Sequence, residues 1–127
     1  METIEVSVKA RVKNGPSIGF SRTLEVDAYD RLQVTVIAGA GATIQLIPVA
    51  TSAVQCLFIE SSIYDTSLTY SVNGAGTNIA LDSPQNFVGE GAVSALDSVA
   101  PPATLNFTNG LADDVLLKVL VGRSAVA

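Results

Sequence analysis

The sequence predicts an all-β fold: a single-domain β-sandwich over residues 1–127, jelly-roll-like, with about eight or nine short antiparallel strands. Three observations carry this expectation. The first segment alternates apolar and polar residues without a fault. Turn-forming residues recur roughly every 8–12 positions, the spacing of sandwiches and barrels. No stretch shows a sustained helical period.

In "TIEVSVKARV", Ile4, Val6, Val8, Ala10 and Val12 fall on one face, and Thr3, Glu5, Ser7, Lys9 and Arg11 on the other. Period two over this length is a half-buried strand, and "KNGPS" ends it with turn residues. A second strand follows, with Phe20, Leu24, Val26 and Ala28 inward. "AYDR" is expected to turn the chain into a third strand over Leu32–Ala38. The glycines of "AGAGA" make a flexible hairpin loop; a phosphate-binding loop would need a following Lys-Ser/Thr and a helix. Ile44–Val49 is expected as a short strand that Pro48 places at an edge or an end. Val54–Ser61 has an apolar centre on both faces and belongs in mid-sheet.

"LTYSVNGAGTNIALD" is a hairpin candidate turning at Asn73-Gly74, because asparagine and glycine accept left-handed backbone. Short strands are expected near Phe87–Val88 and Ala92–Leu96, then an extended Pro101-Pro102 connector. The last hairpin, "TLNFTNGLADDVLLKVLVG", turns at Asn109-Gly110. It echoes the earlier one, and shared turn chemistry accounts for the echo.

Charged residues make up only 15% of the chain against roughly 25% in typical soluble domains, which points to surface covered by other subunits. The net charge of −5 argues against a nucleic-acid partner. The seven cations are scattered apart from a loose group, Lys9, Arg11 and Lys13. The N-terminus lacks an apolar signal core and no apolar run reaches spanning length, so no secretory address and no membrane partner are expected. A lone cysteine, Cys56, reads as a buried inert thiol.

The chain has no histidine, which removes most acid–base and triad arrangements. Asp27, Asp30, Asp65, Asp82, Glu90, Asp97, Asp113 and Asp114 lie mostly in expected turns, where aspartate bonds local backbone. A carboxylate-pair enzyme is therefore the weakest class, and no catalytic residue, metal ligand or cofactor is assigned. Asp113-Asp114 lacks the spaced-oxygen loop of a calcium motif. "NFT" (106–108) lies within a strand, where a glycosylation acceptor is not expected. With no Trp, three Tyr and four Phe, an aromatic sugar platform is poorly supplied. Tyr29, Tyr64 and Tyr70 read as core-rim residues with wet hydroxyls.

What the residues favour is association. In the last strand Val115, Leu117, Val119 and Val121 form one face, and Leu116, Lys118, Leu120 and Gly122 the other. One sandwich core covers one face. The second lies beneath a long loop, at a subunit interface, or against another partner.

The stretches "SSIYDTSLTYSVNGAGTNIALDSP" and "VGEGAVSALDSVAPPATLNFTNGLADDVLLKVLVGR" resemble small structural proteins of tailed-phage virions, of the head decoration or cement type. The resemblance covers roughly residues 60–123 and rests on phrasing rather than on a diagnostic motif. It implies a bacteriophage capsid protein made in the host cytoplasm and seated on the capsid surface as a homotrimer. The major capsid protein would be its partner, and no catalytic residue carries over. Leu116, Lys118 and Leu120 are the expected contact residues on the last strand. Ile4, Val6 and Val8 are those on the first, where Thr3–Val12 suits β-augmentation of a partner sheet. The alternative is a glycan-binding β-sandwich of a phage fibre or adhesion head.

Overall fold

In the computed structural model residues 2–46, 52–74, 78–97 and 102–125 are described. They form β1 (Glu2–Arg11), β2 (Ser17–Val26), β3 (Ala28–Val36), β4 (Gly41–Gln45), β5 (Ser52–Ser61), β6 (Asp65–Val72), β7 (Ile79–Leu81), β8 (Gln85–Val88), α1 (Glu90–Ser94), β9 (Thr104–Asn109) and β10 (Val115–Ala125). Two four-stranded antiparallel sheets run β3-β10-β5-β8 and β4-β9-β6-β7, and β1 and β2 form a separate hairpin.

This order is that of a jelly roll. β3 pairs with β10 and β4 with β9; β5 pairs with β8 and β6 with β7. The chain thus behaves as one long antiparallel ribbon rolled on itself, closed by the β10–β5 and β6–β9 pairings. The sandwich core lies between the sheets. Val115, Leu117, Val119 and Val121 of β10 meet Leu57 and Ile59 of β5, Leu68, Tyr70 and Val72 of β6, and Leu105 and Phe107 of β9. The Tyr70 and Phe107 rings lie 5.5 Å apart, tilted by 37°.

Polar side chains hold the ends of the roll. Buried Asn109 donates from Nδ2 to the Val36 and Asp113 carbonyls, at 3.0 and 2.9 Å, and accepts from the Leu111 N–H at 2.9 Å. That triple anchoring fixes the loop between β9 and β10, which begins after Asn109. Asn73 and Gly74 both adopt positive φ, 56° and 69°, as their expected turn requires. At the far end, Arg123 is ion-paired with Asp30 and nearly buried.

The structure differs from the sequence reading at four places. "AYDR" is no turn: β2 passes into β3 across Asp27 alone, because Ala28–Arg31 pair with Val121, Gly122, Leu120 and Arg123 of β10. The strand expected at Ala92–Leu96 is the short helix α1, which buries Val93 beside β5 and β8. Tyr70 is not a rim residue: it is fully buried, and its hydroxyl donates to Gln85 Oε1. Phe20, expected inward, is 48% exposed. Pro48, Val49 and Pro101 lie outside the described residues.

Candidate interaction surface

The two outer faces of the sandwich are chemically unlike. That of β4-β9-β6-β7 presents Thr43, Asn106, Thr108, Thr69 and Ser71, with Thr43 Oγ1 donating to Asn106 Oδ1 at 2.9 Å. It is a wet face. The outer face of β3-β10-β5-β8 presents Tyr29, Arg31, Gln33 and Thr35 from β3, and Gly122, Leu120, Lys118 and Leu116 from β10. Cys56, Phe58 and Glu60 follow from β5, with Asn86 and Val88 from β8. Apolar groups dominate one end of it.

The β1–β2 hairpin covers that end. Val6 and Leu24 bury against Cys56, and Ile4, Phe58 and Val88 pack around them. Close approach depends on Gly122. A Cβ there would stand 2.7 Å from Cys56 Sγ, 2.9 Å from Ile4 Cδ1 and 3.1 Å from Val26 Cγ1. The Asp27 N–H donates to the Arg123 carbonyl at 2.8 Å and fixes the base of the hairpin. Each aliphatic side chain buried in this seat contributes roughly 1.5–3 kcal/mol before entropy is counted.

Beyond Val6 and Leu24 the hairpin leaves the body. Ten consecutive pairs run from Glu2↔Val26 to Arg11↔Ser17, so the apolar face continues from Ile4 and Val6 to Val8, Ala10, Ile18 and Phe20. Val8, Val12, Ile18 and Phe20 are 37%, 62%, 78% and 48% exposed. The result is an arm whose apolar face is seated at its base and uncovered at its tip.

The six residues expected to make contacts are divided by this geometry. Val6 is buried within the chain's own seat and Ile4 is half-buried beside it. Val8 lies where the arm emerges. On β10, Leu116 is 36% exposed, Lys118 is exposed and Leu120 is half-buried. Val8 and Leu120 line one groove together with Phe58 and Asn86. Ile18 and Phe20 are not among the expected contacts, and Val12 enters only as the end of the Thr3–Val12 stretch. Their signal is present in the sequence: the alternating faces of both strands are longer than the seat that one sheet end offers.

Two buried ionisable groups give the fold a pH dependence. Burial under the hairpin pushes the Cys56 thiol up from 9.0, opposed by a backbone hydrogen bond from Gly122. Burial in the core pushes Tyr70 from 10.0 up to about 12. Both pKa values are higher in the folded chain, so the unfolded chain releases these protons first. The stability they contribute is complete below about pH 9 and is lost as pH rises toward 12. Urea midpoints are therefore expected to fall steeply above pH 9, and Tyr70→Phe should flatten the upper part of that fall. An equal slope in wild type and variant would refute the assignment.

Among the described residues no group of three or more Cys, Asp or Glu side chains is placed to hold a metal ion. No helix among them is long and apolar enough to cross a membrane. No protein-family model, curated protein or solved structure matches the chain.

Proposed function

We propose that the chain is a non-enzymatic virion structural protein, a decoration or cement protein that binds the outer lattice of a phage capsid as a trimer. The observation that carries this reading is the arm. A hairpin that buries its apolar face at the base and leaves Val12 and Ile18 62% and 78% exposed at the tip is built to meet another protein surface. The jelly roll suits the role, since it recurs in capsid and lectin domains. Low charge and the phrasing of residues 60–123 support the same class.

Mechanistically, the sandwich would act as a rigid body spanning a junction between capsid subunits. Many modest contacts repeated by symmetry resist expansion of the shell better than one contact does. β1 adds a route to the major capsid protein: one of its edges is taken by β2, and no described strand pairs with the other. A strand of the capsid protein could extend the hairpin there.

The test is co-sedimentation with emptied capsids from the phage that encodes the chain. Saturable binding at a fixed ratio to the major capsid protein, with a raised shell-disruption temperature, is expected. No binding, together with saturable glycan-array binding, would replace this reading with the fibre or adhesion head.

A further inference from the structure

We propose that the arm tip of one copy docks on the opposite, acidic end of the sandwich in a second copy of the same chain. Charge is divided unequally along the molecule. Residues 7–22 carry Lys9, Arg11, Lys13 and Arg22 and no acid. Everything else leaves three cations, Arg31, Lys118 and Arg123, against all twelve acids, a net of −9. The arm thus carries Val8, Ile18 and Phe20 on one face and Lys9 and Arg11 on the other, with Lys13 at its turn, and projects from an anionic body.

The body holds a matching surface. At the end of β10 away from the hairpin seat, Leu116 is 36% exposed and Ile37 63% exposed. Acids surround them. Asp114 Oδ1 accepts from the Ala38 N–H at 2.9 Å, which places Asp113-Asp114 beside Ile37. The Ser62 N–H donates to the Leu116 carbonyl at 2.9 Å, which brings the β5–β6 turn, flanked by Glu60 and Asp65, to the same end. The β9–β10 loop joins it through the Gly110 N–H to Ser67 carbonyl bond at 3.0 Å. Glu60, Asp65, Asp113 and Asp114 are all exposed, and Glu60 lines a pocket with Lys118 and Arg31, so the unbalanced acids of this end are Asp65, Asp113 and Asp114.

The chain's own arm does not occupy this end. It is seated over Gly122 and Cys56, and Leu116 lies about 20 Å of extended chain from Gly122 along β10. Its tip stands free, with Ile18 78% exposed. The complement of the tip, in charge and in apolar character, is therefore found on another molecule of the same kind. Because donor and acceptor are different patches, the contact is head-to-tail and closes into a ring when the rotation permits. The proposal does not rest on the capsid reading, since both surfaces belong to the chain.

The test uses two charge-reversed chains and needs no capsid. One carries Lys9→Glu, Arg11→Glu and Lys13→Glu; the other carries Asp113→Lys and Asp114→Lys. Each alone should weaken self-association by about 10–100-fold and sediment near the 13.1 kDa single chain. Mixed, they should associate again, because reversed arm meets reversed body. Protection of Cys56 from thiol reagents reports that each variant is folded. Ile18→Ser, which touches nothing in the core, provides an uncharged check and should weaken association about tenfold. The proposal is overturned if the wild type stays single at all concentrations, if the arm-reversed chain keeps the wild-type mass, or if folded variants fail to associate when mixed. Binding of the wild type to phosphatidylserine vesicles or single-stranded DNA while it remains single in solution would likewise overturn it.

Discussion

Gly122→Val is expected to lift the hairpin off the sandwich. Position 122 is the contact point of the seat, where even a Cβ meets Cys56 Sγ at 2.7 Å and Ile4 Cδ1 at 2.9 Å. The Cys56 sulfur is fixed on the neighbouring strand, while Ile4 and Val26 belong to the hairpin, so the added methyl groups are relieved by displacing β1 and β2. Overpacking of this kind costs about 3 kcal/mol. The loss should be local, because the core between the sheets is formed by the opposite face of β10. Cys56 then serves as a reporter. It is fully buried beneath the hairpin, and its reaction with a thiol reagent under native conditions should accelerate at least about 100-fold, while the main unfolding transition shifts by less. Cys56→Ala should restore part of the loss in a Gly122→Ala background, since it removes the nearest clashing atom. If Gly122→Val leaves both the thiol rate and the stability unchanged, the seat is not where the structure places it.

Leu117→Ala and Leu116→Ala should differ sharply although the residues are adjacent. Leu117 is 0% exposed between the two sheets, and its truncation should cost about 3 kcal/mol through lost transfer energy and an unfilled cavity. Leu116 is 36% exposed on the outer face, and the same change there should cost less than about 0.5 kcal/mol in the isolated chain. Urea denaturation of the two variants, compared at a concentration where the chain is single, measures the difference. Equal losses would mean that Leu116 also belongs to a core.

These two positions explain why the second face of the last strand could not be assigned from sequence. β10 is one of the two inner strands of its sheet, between β3 and β5, so its apolar character is partly that of a buried strand. Its outer face is covered at Gly122 by the N-terminal hairpin, not by a long loop, and Leu116 is 36% exposed. Local alternation distinguishes in from out within one strand, but it does not say which segment comes to lie on a face. That the cover is β1–β2, from the opposite end of the chain, is a long-range fact.

Other features were legible. β1 formed as a strand but kept its expected buried face only at Ile4 and Val6, and Asn73-Gly74 and Asn109 marked the ends of their strands through the backbone and side-chain chemistry of asparagine. The jelly-roll strand order was not legible, because pairings such as β3 with β10 join distant segments that any of several β folds would also supply. "AYDR" misled because Asp and Arg favour turns locally, while here Asp30 faces inward to pair with Arg123 and Arg31 faces out. α1 was missed because five residues are too few for a helical period to show. The arm was half legible: the alternation of Ile18 and Phe20 with polar neighbours was visible, but the extent of the seat was not.

The central claim is that this chain is made to associate through its projecting hairpin, and sedimentation velocity of the purified wild type over a range of concentration and salt tests it most directly. At low ionic strength the mass should be a multiple of 13.1 kDa, falling toward the single chain near 1 M salt as the contacts of Lys9, Arg11 and Lys13 are screened. A folded chain that sediments singly at every concentration and salt would contradict the claim.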